Sequence, residues 1–297
     1  MVAACDPTAV PPPPPSGSEG IRTPPPIPSE DAEVLVGAGD IAWCDGVGDE
    51  ATAALLARIP GTVATFGDNV YPDGTREQFA ACYEPTWGRY LRRTRPAPGN
   101  HEYHTPQARG YFEYFGRRAG ELGRGWYSYN LGRHWHVIVL NSNCDDVGGC
   151  GPGSPQEQWL REDLAAHEDR HVVAYWHHAR FSSGRHGSST ATAAFWQALY
   201  EHGAELVLTA HDHSYERFAP LDPVGRIDPD RGIRQLVVGN GSPSHYRFPG
   251  PPLPATEVRN DDTFGVLVLT LLPTSYHWEF VVAAGGGFSD SGRAAVR

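Results

Sequence analysis

Short apolar runs alternate with amphipathic stretches along most of the chain, and several of the runs end in a polar cluster. Residues 34–38 (Val-Leu-Val-Gly-Ala) and 63–66 (Val-Ala-Thr-Phe) have the length and composition of buried strands. Between them, residues 49–59 set Ala51, Leu55, Leu56 and Ile59 on one side of a predicted helix. Further strands are predicted at 136–140, 172–175, 206–209 and 236–238, and helices at 156–166 and 190–201. The runs 266–272 and 276–282 flank Pro273-Thr274-Ser275, which reads as an antiparallel hairpin. No internal repeat is present. Strand–helix alternation followed by extra strands predicts an α/β domain with a mixed sheet or a pair of sheets.

Residues 7–33 break this pattern. Pro11 to Pro15 are consecutive, a Ser/Gly stretch follows, and Pro24, Pro25, Pro26 and Pro28 come next. Such a composition buries no core and favours an extended tether; a proline-rich ligand for an adaptor domain is the competing reading. Ahead of it, Val2-Ala3-Ala4-Cys5 has the form of a bacterial lipobox, in which the cysteine receives lipid, although no signal-type charged and apolar stretch lies upstream in this sequence. The expectation is a tether over residues 1–33 and one folded domain over 34–297, with possible membrane attachment through a lipidated Cys5. No further β-sandwich is expected before the domain, because Asp40 follows the tether by only seven residues.

The 297 residues suffice for one large domain with a buried core. A net charge of -11, from 24 basic and 35 acidic side chains, disfavours nucleic acid as a partner. A small phosphorylated substrate would need local positive charge, which bound metal ions can supply. No apolar run approaches a membrane span. Apart from Cys5, four cysteines remain: Cys44, Cys82, Cys144 and Cys150. They permit three pairings. The glycines between Cys144 and Cys150 favour a short disulfide loop there, leaving Cys44 with Cys82; four reduced, buried thiols are the alternative. An extracytoplasmic protein, secreted or a cell-surface lipoprotein, is expected.

The candidate chemistry sits where the strands end. Gly39-Asp40 follows the first strand and Gly67-Asp68-Asn69-Val70-Tyr71 the second. Gly99-Asn100-His101-Glu102 follows what reads as a proline-rich turn, Pro96-Ala97-Pro98. Trp176-His177-His178 and Ala210-His211-Asp212-His213 end two later strands. Sites in α/β folds gather at the carboxyl ends of strands, so clusters distant in sequence can meet. Carboxylate, amide and imidazole are ligand types for hard-to-borderline metal ions. Singly each cluster is weak; together, in this order, they are specific.

This series resembles the calcineurin-like metallophosphoesterases. Because Tyr71 follows Asp68 by three residues, it is most similar to their purple acid phosphatase branch. The resemblance runs over residues 33–282, with two departures, the first that Ala210 stands where the last motif usually has glycine. The first motif also lacks the Asp-x-His form of the wider superfamily, as the purple acid phosphatase branch does. It implies a four-layer α/β/β/α sandwich with mixed sheets and two adjacent metals bridged by Asp68. Asp40, Tyr71 and His213 would complete the ligands of the first metal, and Asn100, His177 and His211 those of the second. A phenolate such as Tyr71 favours Fe(III) at the first position, with Zn(II), Fe(II) or Mn(II) at the second.

The implied activity is phosphomonoester hydrolysis, with hydroxide generated at the metals attacking phosphorus in line. His101, beside Asn100, is the candidate proton donor to the leaving group. His186 is the candidate for contact with the phosphate or leaving group. A phosphodiesterase or nucleotide hydrolase using the same metals is the alternative within enzymes, since specificity would depend on loops such as 105–125 and 217–230; a non-catalytic surface protein is the alternative outside them. His178 is expected on the other side of its sheet, with pocket lining the alternative, and Tyr215-Glu216-Arg217 in structural hydrogen bonds. Asn141-Ser142-Asn143 reads equally as a turn or as part of the pocket rim. The remaining histidines, among them His104, His136, His167 and His202, show no ligand spacing, and the tryptophans read as packing.

Overall fold

The computed structural model describes residues 31–46, 48–242, 244–283 and 287–297. The lipobox-like Val2–Cys5 stretch and the proline-rich segment up to residue 30 lie outside the described residues.

The strands are β1 (Glu33–Ala38), β2 (Thr62–Phe66), β3 (Thr94–Ala97), β4 (Tyr127–Leu131), β5 (Trp135–Val139), β6 (His171–His178) and β7 (Leu206–Ala210). They continue with β8 (Tyr215–Phe218), β9 (Arg234–Val238), β10 (Thr256–Asn260), β11 (Gly265–Leu271), β12 (Ser275–Val282) and β13 (Asp290–Ala295). They form a six-stranded sheet ordered β13-β12-β11-β1-β2-β3 and a seven-stranded sheet ordered β10-β8-β9-β7-β6-β5-β4. Both are mixed. Parallel strands β1, β2 and β3 lie beside an antiparallel β11–β12–β13 meander. In the second sheet β5, β6, β7 and β9 are parallel, with antiparallel neighbours at each side.

The helices are α1 (Gly48–Leu56), α2 (Arg76–Gln78), α3 (Arg109–Phe115), α4 (Pro155–Ala165) and α5 (Ala193–His202). One core joins Val36, Val63 and Phe66 of the first sheet to Tyr175, Leu208 and Val238 of the second, and extends beneath α1 and α3 through Leu56 and Phe115. A second core packs Leu160 of α4 and Phe195 and Leu199 of α5 against Ile138 and Trp176. The layers are therefore helix, sheet, sheet, helix, as expected. Central strands covered on both faces read as unbroken apolar runs, which is why β1, β2 and β7 were visible in the sequence.

Two local features depart from expectation. Pro96 and Ala97 belong to strand β3 rather than a turn. Proline has no N–H to give to a ladder, and β3 is an edge strand, where one side needs no partner. Strands β4, β8, β10 and β13 carry too many polar residues to stand out as apolar runs. Disulfides join Cys44 to Cys82 and Cys144 to Cys150, the expected pairing.

Candidate metal centre

The parallel strands of both sheets deliver their polar clusters to one edge. Asp40, Asp68 and Asn100 follow β1, β2 and β3, His177 lies near the end of β6, and His211 and His213 follow β7. Asp40, Asp68 and His211 hold left-handed backbone, with φ of 56°, 50° and 71°. Such strain in non-glycine residues persists where the surroundings over-determine it, and here it turns each side chain sharply off its strand. Two glycines permit close approach. A Cβ on Gly99 would lie 2.1 Å from Asp68 Oδ1, and one on Gly39 would lie 2.4 Å from the methyl of Ala210. Gly39 thus leaves the space that Ala210 fills, so the departure at Ala210 is accommodated within the fold.

All seven expected metal-site residues converge in two overlapping groups. Tyr71 Oη lies 2.7 Å from Asp40 Oδ1, 3.0 Å from Asp68 Oδ2 and 3.1 Å from His213 Nε2. His177 Nε2 lies 3.1 Å from Asn100 Oδ1, 3.2 Å from Asp68 Oδ2 and 3.2 Å from His211 Nδ1. Asp68 Oδ2 belongs to both groups. Asp68, His177 and His211 offer donor atoms all within 4.8 Å of one another.

The donor chemistry fits cations at both places. Tyr71 has one proton, yet two carboxylate oxygens and an imidazole nitrogen crowd its oxygen. His177 Nδ1 lies 2.9 Å from the Phe66 carbonyl, so that nitrogen donates, and in the neutral ring Nε2 would turn a lone pair toward two oxygens. His213 is held likewise, its Nδ1 3.0 Å from Ser244 Oγ. Lone pairs facing lone pairs in a buried site call for positive charge between them.

Electrostatics point the same way. Burial opposes the charged form of His177, but Asp68 outweighs it and lifts the imidazole to about 9. Burial would raise the carboxyl of Asp68, yet His177 drives it well below the usual carboxylate range. Burial, then the charges of Asp40 and Asp68, push the Tyr71 phenol well above its ordinary value, so only a cation would favour its phenolate.

His101 and His186 flank this cluster. His101 Nδ1 is 2.5 Å from the Pro72 carbonyl, its Nε2 3.8 Å from Asp68 Oδ2, and its backbone N–H donates to Asp68 Oδ1 at 2.9 Å. His104 reaches the same Pro72 carbonyl at 3.0 Å and packs on His101. The backbone N–H of His186 donates to Asp212 Oδ1 at 2.8 Å, and its ring lies 4.2 Å from that of His211. His178 corrects the expectation that it faces away. It lines a cavity of about 260 Å³ with His186 and His211, because an irregularity in the β6–β7 register after Tyr175 breaks the in–out alternation. Its Nδ1 lies 2.8 Å from Ser142 Oγ, which connects the Asn141-Ser142-Asn143 stretch to the pocket.

Several supporting residues escaped sequence reasoning. The buried Glu102 carboxylate accepts N–H groups from Gly99 at 2.7 Å, Asn69 at 2.8 Å, Asp68 at 3.1 Å and Val70 at 3.3 Å. Burial, followed by the charge of Asp68, pushes its pKa up to about 7 against those donors. Tyr246 stacks on His213 at 4.0 Å and Trp43 on Tyr71 at 5.7 Å. Only the motif position of Glu102 was a signal; the two aromatic residues carried none. Tyr215 and Arg217 share Asp290, and Glu216 accepts from Ser183 and Thr256, a structural network as expected.

Comparison with known proteins agrees with this geometry. Residues 27–215 match the family model described as calcineurin-like phosphoesterase. Purple acid phosphatase 15 of Arabidopsis thaliana is 26% identical over 230 residues, covering 63% of this chain and 41% of that protein. Acid phosphatase A of Cryphonectria parasitica is 25% identical over 192 residues, covering 56% and 38%. The chain therefore spans about two fifths of the length of these relatives. In fold it is similar to a purple acid phosphatase from yellow lupin seeds, with a TM-score of 0.73 and 16% identity over 89% of this chain and 54% of that one. It is also similar to GAP50, the anchor in the inner membrane complex of Plasmodium, with a TM-score of 0.69 and 12% identity over 90% of each chain. The chain belongs to the calcineurin-like phosphoesterase family, and its relatives include purple acid phosphatases.

Proposed function

We propose that the protein is a two-metal phosphomonoester hydrolase of the purple acid phosphatase kind. The observation that carries this reading is the sharing of Asp68 Oδ2 between the Tyr71 and the His177 groups, which suits a carboxylate bridging two ions. Asp40, Tyr71 and His213 would hold Fe(III), and Asn100, His177 and His211 would hold Zn(II), Fe(II) or Mn(II). When bound, the ions supply charge stabilisation to the phosphoryl oxygens and acidify water to a nucleophile.

The protein's own residues do the rest. His101, steadied through Nδ1 by the Pro72 carbonyl, holds a proton on Nε2 for the leaving oxygen. His186, fixed by the Asp212 carboxylate through its backbone, contacts the phosphate or the leaving group. Glu102 ties the loops carrying Asp68 and Asn100 to each other. An anchor protein shares this fold, so fold alone does not make an enzyme. The full set of donor residues favours catalysis over a binding role.

We further read residues 34–297 as the catalytic domain and residues 1–33 as a tether that a lipidated Cys5 would fix to a membrane. No helix among the described residues is long and apolar enough to cross one. Two disulfides support an extracytoplasmic setting. Turnover of nitrophenyl phosphate against bis-nitrophenyl phosphate tests the substrate class. Faster monoester cleavage is expected; faster diester cleavage would assign a phosphodiesterase instead.

A further inference from the structure

A second cluster of potential ligands lies at the other end of the seven-stranded sheet. His136 is near the amino end of β5 and pairs in register with Val172 of β6, whereas His177 lies at the carboxyl end of that strand. Five residues of strand separate these levels, about 16 Å. Asp163 comes from the last turn of α4, and His167, one turn after Asp163, lies just past the end of that helix.

We propose that His136, Asp163 and His167 form a further metal site, for a divalent ion of the zinc class. Their donor atoms lie within 4.8 Å of one another. Two imidazoles and a carboxylate form a common zinc ligand set, with the fourth position left to water or another donor.

The orientation of His136 and Asp163 supports the assignment. His136 Nδ1 lies 2.8 Å from Asn130 Oδ1, Asp163 Oδ1 accepts the Ser128 hydroxyl at 2.7 Å, and His167 Nδ1 lies 2.7 Å from the Asp163 carbonyl oxygen. Each ligand thus has one polar atom tied by a neighbour, as metal-binding side chains do, and another left over. The atoms left over include His136 Nε2 and Asp163 Oδ2, which face each other at 2.7 Å. With the Nδ1 proton given to Asn130, that approach needs a cation between lone pairs, either a second proton or a metal ion. The His136 and His167 rings are stacked at 3.7 Å. Binding therefore requires the His167 ring to turn, and it can: its side chain is 25% exposed and lies beyond the helix end. The ion would pin the end of α4 to β5, and its binding free energy would add to the stability of the fold.

The test uses the full chain, stripped with chelator and titrated with Zn(II) in equilibrium dialysis, beside the variant His167→Ala. Wild type should retain one equivalent more than the variant, and Zn(II) should raise its Tm further. Nitrophenyl phosphate turnover should be equal in both. Should His167→Ala fold poorly, His167→Gln, which keeps the bulk of the side chain, repeats the comparison. Equal stoichiometry and equal Tm shifts would overturn the site and leave His136–Asp163 a hydrogen-bonded contact only. The wild-type-minus-variant difference does not depend on whether the other centre hydrolyses phosphate.

Discussion

The backbone N–H of Asp68 donates to the carboxylate of Glu102 at 3.1 Å, and the same carboxylate accepts from Gly99 on the neighbouring loop at 2.7 Å. Glu102 is fully buried, so no water replaces it as acceptor. It acts through the residues it holds, by keeping the Asp68 and Asn100 loops in register.

Replacing Glu102 by Ala would strand several buried N–H groups, each costing about 1–3 kcal/mol if unsatisfied. The Glu102→Ala variant should therefore lose at least about 3 kcal/mol of stability, together with metal. Glu102→Gln keeps one acceptor oxygen and should lose less of both. Thermal unfolding and metal content measured on the two variants check the order.

His101 touches the cluster through its backbone, while its ring leans on the Pro72 carbonyl. His101→Ala should keep its metal and lose about a hundredfold or more in turnover, the usual scale for an acid–base group. Metal analysis beside kcat separates the cases, since loss of metal would make His101 a structural residue.

Asp290, at the start of edge strand β13, joins the two sheets through Tyr215 at 2.6 Å and Arg217 at 2.7 Å, both on β8. Burial would raise its carboxyl, but the hydrogen bonds from Arg217 and Tyr215 outweigh it and hold the pKa below the ordinary 3.8. A depressed folded-state pKa gives stability that is present above the unfolded value and lost as pH falls through the folded one. Asp290→Ala should cost about 3 kcal/mol at neutral pH, the scale for breaking a buried pair. The gap between wild type and variant should narrow as pH falls below about 4. Urea unfolding at a series of pH values checks both.

Much of the site was legible because its residues follow strands that are apolar throughout. Asp40 and Asp68 come directly after such runs, and only the carboxyl ends of parallel strands bring them together. His178 was misplaced because a register irregularity overrides the in–out alternation that sequence reasoning assumes. Strand β8 (Tyr-Glu-Arg-Phe) escaped notice because its buried polar side chains find partners from distant segments, which sequence spacing does not show. The His136, Asp163 and His167 cluster was hidden for the same reason: its members meet through the packing of α4 on β5.

The most direct test of the central claim is metal analysis of the full chain combined with its visible absorption spectrum, repeated on Tyr71→Phe. The account predicts bound iron and a phenolate–Fe(III) band that disappears in the variant. A chain without iron, or a band that survives Tyr71→Phe unchanged, would contradict it.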